Sequence, residues 1–132
     1  HGPGQLVVYP ILNIRKWGGP IKYVRALEQV VIAALAEMGI TANCESGNTG
    51  VWTNQGKIAA IGVKISRGIS FHGFALNVNT DLTKYKNIIP CGITDRPVTS
   101  IASILGQIVE MELVRNMLVR QFGRQFAFKM ED

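Results

Sequence analysis

Cysteine and histidine are scarce in this sequence: Cys44 and Cys91, His1 and His72, among 132 residues. Two thiols cannot make the dense disulfide framework of a small secreted scaffold, so a reducing compartment is expected and any special role for either cysteine is one of reactivity. Neither residue type shows ligand spacing such as C-x-x-C or H-x-x-x-H, so no metal site is expected. Charge is also sparse, at 17% against 47% hydrophobic residues, and no polar low-complexity tract or internal repeat occurs, so the chain is a folding one. Its apolar stretches are broken by charges or glycines well short of the roughly 18 residues that span a bilayer, which argues against a membrane helix. Acidic residues are outnumbered 9 to 14, and the resulting +5 favours an acidic partner. The basic residues are scattered, without a compact stripe and interleaved aromatics, so nucleic acid is not an expected partner. The opening His1-Gly2-Pro3-Gly4-Gln5 lacks the G-x-x-x-x-G-K-[ST] pattern and its lysine, which argues against a nucleotide loop. Methionine does not open the chain, so a segment upstream of His1 is expected, and targeting signals cannot be sought here.

What is present suits one domain over residues 1–132, with a single hydrophobic core. Leu6 to Ile14 is β-branched enough for a strand, with Pro10 placing it at an edge or bulge. Ile21, Val24, Leu27, Val31, Leu35 and Met38 recur at helical spacing up to a stop at Gly39. Thr49–Thr53, Lys57–Ser66 and Ile69–Asn79, separated by Asn54-Gln55-Gly56 and Arg67-Gly68, read as a three-stranded antiparallel meander. Thr80 to Thr94 has no sustained period and reads as a long loop with one helical turn. Thr99 or Ser100 caps a short helix, and Leu113, Val114, Met117, Leu118 and Phe122 mark a second amphipathic one. The order predicts an α+β fold, with helices packed on one face of a largely antiparallel sheet.

Cys91 sits between Pro90, which stiffens the approach, and Gly92, which lets backbone come close to a ligand. Cys44 has Glu45 beside it, a carboxylate that disfavours a thiolate, and is the poorer nucleophile. A reactive thiol needs a base or a cation, and Lys57 is a candidate. Strict alternation puts Lys57 on one face with Ala59, Ile61, Val63 and Ile65, the more apolar one, and Lys64 on the other. There it could take a proton from a thiol or hold the thiolate as an ion pair. Taken alone, local chemistry favours plainer readings: Cys91 as a small buried hydrophobe, Lys57 as a strand-end lysine reaching into water, and His72, beside Phe74, Leu76 and Val78, as a core histidine. Gly73, on the opposite face, leaves room for a chain to pass close by.

Taken together, His1-Gly2-Pro3-Gly4-Gln5-Leu6-Val7, Tyr9-Pro10, Thr49-Gly50-Val51-Trp52, Lys57-Ile58-Ala59-Ala60-Ile61-Gly62, His72-Gly73-Phe74-Ala75-Leu76-Asn77 and Pro90-Cys91-Gly92 resemble the lipoyl(octanoyl) transferase family, block by block and in the same order. The resemblance implies the fold of biotin and lipoate protein ligases, with a mixed sheet. It implies that Cys91 carries an acyl thioester, that Lys57 activates it, and that His1, Ala59, Ala60, Ile61, His72, Gly73 and Phe74 bind the acyl group. The implied reaction moves octanoyl from octanoyl-acyl carrier protein to a lysine of the lipoyl domains of 2-oxoacid dehydrogenases and glycine cleavage H protein, with no cofactor, metal, nucleic acid or membrane partner. It places the protein in the cytoplasm, or in a mitochondrial matrix or plastid. Family members also carry an upstream region with an Arg-Gly-Gly, so the chain is expected to be N-terminally truncated. Two other readings stay open: an ATP-dependent lipoate or biotin ligase-like enzyme, and a non-catalytic fragment that binds a partner.

Overall fold

A computed structural model describes residues 2–10, 19–45, 47–66, 69–85 and 97–126. Its frame is a five-stranded sheet in the order β1-β5-β4-β3-β2, with every neighbouring pair antiparallel. The strands are β1 (Gln5–Val8), β2 (Asn43–Glu45), β3 (Asn48–Thr53), β4 (Gly56–Ser66) and β5 (Ile69–Asn77). The meander β3-β4-β5 falls where alternation and turn residues put it. β1 stops before Pro10 and lies at the sheet edge, as a residue without an N–H requires; the expected continuation over 11–14 lies outside the described residues.

Helix α1 (Pro20–Glu37) starts on proline, whose missing N–H is one of the first-turn orphans, and ends at Gly39, whose φ of 77° suits a residue without Cβ. Its buried stripe is Tyr23, Leu27, Glu28, Val30, Val31, Ala34 and Leu35. Ile21, expected on that stripe, is instead 80% exposed. A 3-10 turn covers Leu82–Tyr85. Ser100 accepts from the Ser103 N–H at 3.1 Å to cap α2 (Ile101–Leu105), and α3 (Met111–Gln125) follows. Val114 and Leu118 of α3 are buried, whereas Leu113 faces outward.

Register divides the sheet into two faces. Val51, Ala59 and Leu76 are cross-strand partners in a row, as are Ile61, Phe74 and Val8, and all pack into one core with α1, α3 and Ile101. One step along β5 from Leu76 lies Ala75, paired with both Ala60 and Val7, on the opposite face. Helices therefore cover one side of the sheet. On the core side Tyr23 of α1 meets Phe126 with ring centroids 5.7 Å apart, and Glu37 takes bonds from Arg120 (3.0 Å) and Gln121 (2.9 Å), so α1 and α3 are joined by packing and by charge.

Candidate active site

The side of the sheet away from the helices has a floor of small residues. Ala60 and Gly62 are exposed, Ala75 is half-buried, and a Cβ placed on Gly62 would meet no atom within 4 Å. Gly73, the partner of Gly62, is closed over: a Cβ there would stand 2.3 Å from the Tyr9 ring and 2.3 Å from the Val8 carbonyl. The edge strand β1 thus takes the room that Gly73 leaves, and Gly62, Ala60 and Ala75 stay open beside it.

Lys57 belongs to this outer side. Val51 pairs with Ala59 but Trp52 pairs with Lys57, so one step along β3 spans two along β4. That bulge turns Lys57 away from Ala59 and onto the face of Trp52 and Gly50, and strict alternation, which set it with Ala59 and Ile61, is corrected there. Its ammonium lies 5.3 Å from the centroid of the Trp52 ring, and its stem crosses Gly50, where a Cβ would come within 2.9 Å of Lys57 Cε.

The backbone of Lys57 is where the chain returns from the segment that contains Cys91. The Lys57 N–H donates to the Pro97 carbonyl at 2.9 Å, the Thr99 N–H donates to the Lys57 carbonyl at 2.8 Å, and Val98 bridges Lys57 in parallel. β5 has ended at Asn77, and residues 97–99 take its place beside β4. The Asn77 amide supports the junction by donating to the Thr99 carbonyl at 3.2 Å. Gly56, at φ 133°, lets Pro97 approach; a Cβ there would lie 2.5 Å from the Pro97 carbonyl oxygen. Cys91 and His1 themselves lie outside the described residues.

The other residues named from sequence fall on both faces. Ala60 is on the outer floor, whereas Ala59, Ile61 and Phe74 point into the core, so only their backbone is offered to the outer side. His72 stands opposite Val63 in the β4–β5 ladder. Cys44 is a free, half-buried thiol in β2, 3.8 Å from the Gln29 amide, and far along the sheet order from β5.

Sequence reasoning missed Glu28. Its carboxylate is fully buried, accepts from Arg25 at 2.7 Å, and accepts from the Gly50 N–H at 2.8 Å. Arg25, held above its ordinary value by that bond and by the Glu28 charge, also donates to the Glu45 carbonyl at 3.2 Å. A signal for it existed: Glu28 falls on the stripe of Val24, Val31 and Leu35, where an unpaired charge would not be tolerated. A cavity of about 210 Å³ lined by Val8, Pro10, Phe74, Leu118, Val119, Phe122 and Arg115 lies under the sheet against α3, on the side away from Lys57.

Among the described residues no group of three or more His, Cys, Asp or Glu could hold a metal ion, and no helix is long and apolar enough to cross a membrane.

Comparison with known proteins is consistent across sequence and fold. Residues 1–123 match the lipoyl protein ligase A/B catalytic domain. The chain is 51% identical over 135 residues to an octanoyltransferase of Koribacter versatilis, covering 98% of this chain and 53% of that protein. It is 50% identical over 130 residues to an octanoyltransferase of Alkaliphilus metalliredigens, covering 97% and 60%. The chain thus spans just over half the length of these relatives. In fold it is similar to biotin protein ligase from Aquifex aeolicus, with a TM-score of 0.73, 21% identity, and 94% of this chain and 53% of that one covered. It is likewise similar to lipoate-protein ligase A bound with ATP, with a TM-score of 0.67, 18% identity, and 97% and 53% covered.

Proposed function

Because the chain belongs to the lipoyl protein ligase A/B catalytic domain family, we propose that residues 1–132 are the catalytic part of an octanoyltransferase, with Cys91 as nucleophile and Lys57 as its activating base. The observation that carries this reading is the pairing with the Lys57 backbone of residues 97–99, which follow Cys91 closely in sequence. Cys91 precedes Pro97 by six residues, so its Cα lies within about 20 Å of Pro97 at full extension. Pro97 in turn is hydrogen-bonded to the Lys57 backbone.

In the first half-reaction the Cys91 thiolate, its proton already held on the Lys57 ammonium, attacks the octanoyl carbonyl of the acyl carrier protein thioester. A new C–S bond forms, the carrier's C–S bond breaks, and the carrier sulfur leaves with the proton held by Lys57. In the second, the neutral amine of a lipoyl-domain lysine attacks the acyl-enzyme. The C–N bond forms, the Cys91 C–S bond breaks, and the amine proton returns to sulfur through Lys57. Exchange of one thioester for another is nearly balanced in energy, and the amide makes the second half favourable without ATP.

The open strip of Ala60, Gly62 and Ala75 gives an alkyl chain a floor without side chains to displace. His1, Ala59, Ala60, Ile61, His72, Gly73 and Phe74 are the acyl-binding set carried by the resemblance; of these, Ala60 would touch the chain with its side chain and Ala59 and Ile61 through backbone. An acidic carrier suits the net charge of +5. Under this reading the protein works where acyl carrier and lipoyl domains meet, in the cytoplasm or an organelle matrix.

The test is transfer of octanoyl from octanoyl-acyl carrier protein to an isolated lipoyl domain, with and without ATP. The expected result is ATP-independent octanoyl-lysine, lost in Cys91→Ala. Transfer that stops when ATP is withdrawn would instead support a ligase.

A further inference from the structure

We propose that Trp52 and Gly50 form a positioning cradle for Lys57, and that buried Glu28 fixes the cradle in place. The inference rests on the reading of Lys57 as the activating base and adds what holds that base where it is needed. A lysine has four rotatable side-chain bonds and, left to solvent, scatters its ammonium over many positions. Here three independent features restrict it.

Trp52 is the cross-strand partner of Lys57 and is only 9% exposed, so its ring is held by the fold. The ammonium sits 5.3 Å from the ring centroid, within the range at which an aromatic face attracts a cation. Gly50 supplies the passage. A Cβ on it would lie 2.9 Å from Lys57 Cε, 3.2 Å from Trp52 Cη2 and 3.0 Å from the Ala59 carbonyl oxygen, so the lysine stem and the indole edge both occupy space that only glycine leaves. The φ of Gly50, 140°, is also one that L side chains rarely adopt. Glu28 then secures the backbone: its carboxylate accepts from the Gly50 N–H, and its other oxygen is bonded to Arg25, which reaches on to the Glu45 carbonyl in β2. A buried carboxylate thus ties α1 and, through Arg25, β2 to Gly50, beside which the Lys57 stem passes.

Trp52 and Glu28 act through Lys57 and are positioning residues. Two measurements on the full protein test this. Carbon-13-labelled lysine gives an NMR signal for the Lys57 ε-methylene, identified by its loss in Lys57→Arg; over the indole face it is expected upfield of the other lysines, and to return to their position in Trp52→Leu. Octanoyl transfer is expected to show kcat lowered about tenfold in Trp52→Leu with KM unchanged, and most of kcat retained in Trp52→Phe, which keeps an aromatic face. A Lys57 signal at the ordinary position in the unsubstituted protein, or full kcat in Trp52→Leu, overturns the cradle. Absence of transfer by the unsubstituted protein would overturn the octanoyltransferase reading instead, and the NMR shift would still decide where Lys57 lies.

Discussion

Glu28 carries a charge on the inner stripe of α1, and its burial is tolerated because each oxygen has a donor: Arg25 on one, the Gly50 N–H on the other. Glu28→Ala removes both bonds and leaves a buried N–H without its acceptor; unfolding in urea is expected to show a loss of about 2 kcal/mol. Lys57→Met, which keeps length and apolar stem but removes the amine, is expected to lower octanoyl transfer by about a hundred- to ten-thousandfold in a steady-state assay, the range for a lost general base, while stability changes little. At this scale the sequence was a partial guide. Cys91 and Lys57 stand out only by resemblance, since local chemistry alone favours inert readings of both, and strict alternation sets Lys57 on the wrong face because nothing in Lys57-Ile58-Ala59 announces a bulge. Gly50 was the clue, since a glycine inside a β-branched run marks an irregular strand or a close approach. Glu28 was passed over because a glutamate in a helix is ordinarily solvated, and only its place among Val24, Val31 and Leu35 says otherwise.

α1 and the meander were legible because both bury one side of a regular period, so apolar spacing alone reports them. β2 was not, since Asn43-Cys44-Glu45 is three residues long with two polar members, and its pairing to β3 is decided by backbone bonds to a neighbour distant from any local pattern. The edge strand β1 depends on Gly73, where any Cβ meets the Val8 carbonyl and the Tyr9 ring. Gly73→Ala is therefore expected to push β1 off the sheet, seen as fast amide exchange at Leu6 and Val8 while α1 stays protected. The contact of α1 with the end of α3 carries its own signature in pH. Burial pushes the Tyr23 hydroxyl up from 10.0 to about 12, so its folded-state value lies above the unfolded one. The neutral phenol's contribution is fully present below pH 10 and is lost as pH rises towards 12, about 2 to 3 kcal/mol in all. Thermal unfolding from pH 9 to 12 should show that fall, and Tyr23→Phe, with nothing to ionise, should show a shallower one.

For the whole molecule, the sheet separates two tasks. Its inner face, with α1, α2 and α3, is a core; its outer face presents Lys57 at one end of β4 and the small residues Ala60 and Gly62 further along. That division follows from register, and the sequence foreshadows it in Ile61-Gly62 and Phe74-Ala75, where the larger residue faces inward and the smaller one outward. An open floor is expected to set which acyl chains fit. Gly62→Val, built into empty space, should fold normally and lower kcat/KM for octanoyl by about tenfold relative to a butyryl donor, measured by competition between the two carrier thioesters. Cys91, Lys57 and the open floor all serve one covalent intermediate. The most direct test is peptide mapping by mass spectrometry of the protein quenched in acid after mixing with octanoyl-acyl carrier protein, without ATP and without a lipoyl acceptor. One octanoyl group is expected, on the peptide that holds Cys91, released by hydroxylamine and formed far more slowly in Lys57→Met. An octanoyl group on any other residue, or none until ATP is supplied, would contradict it.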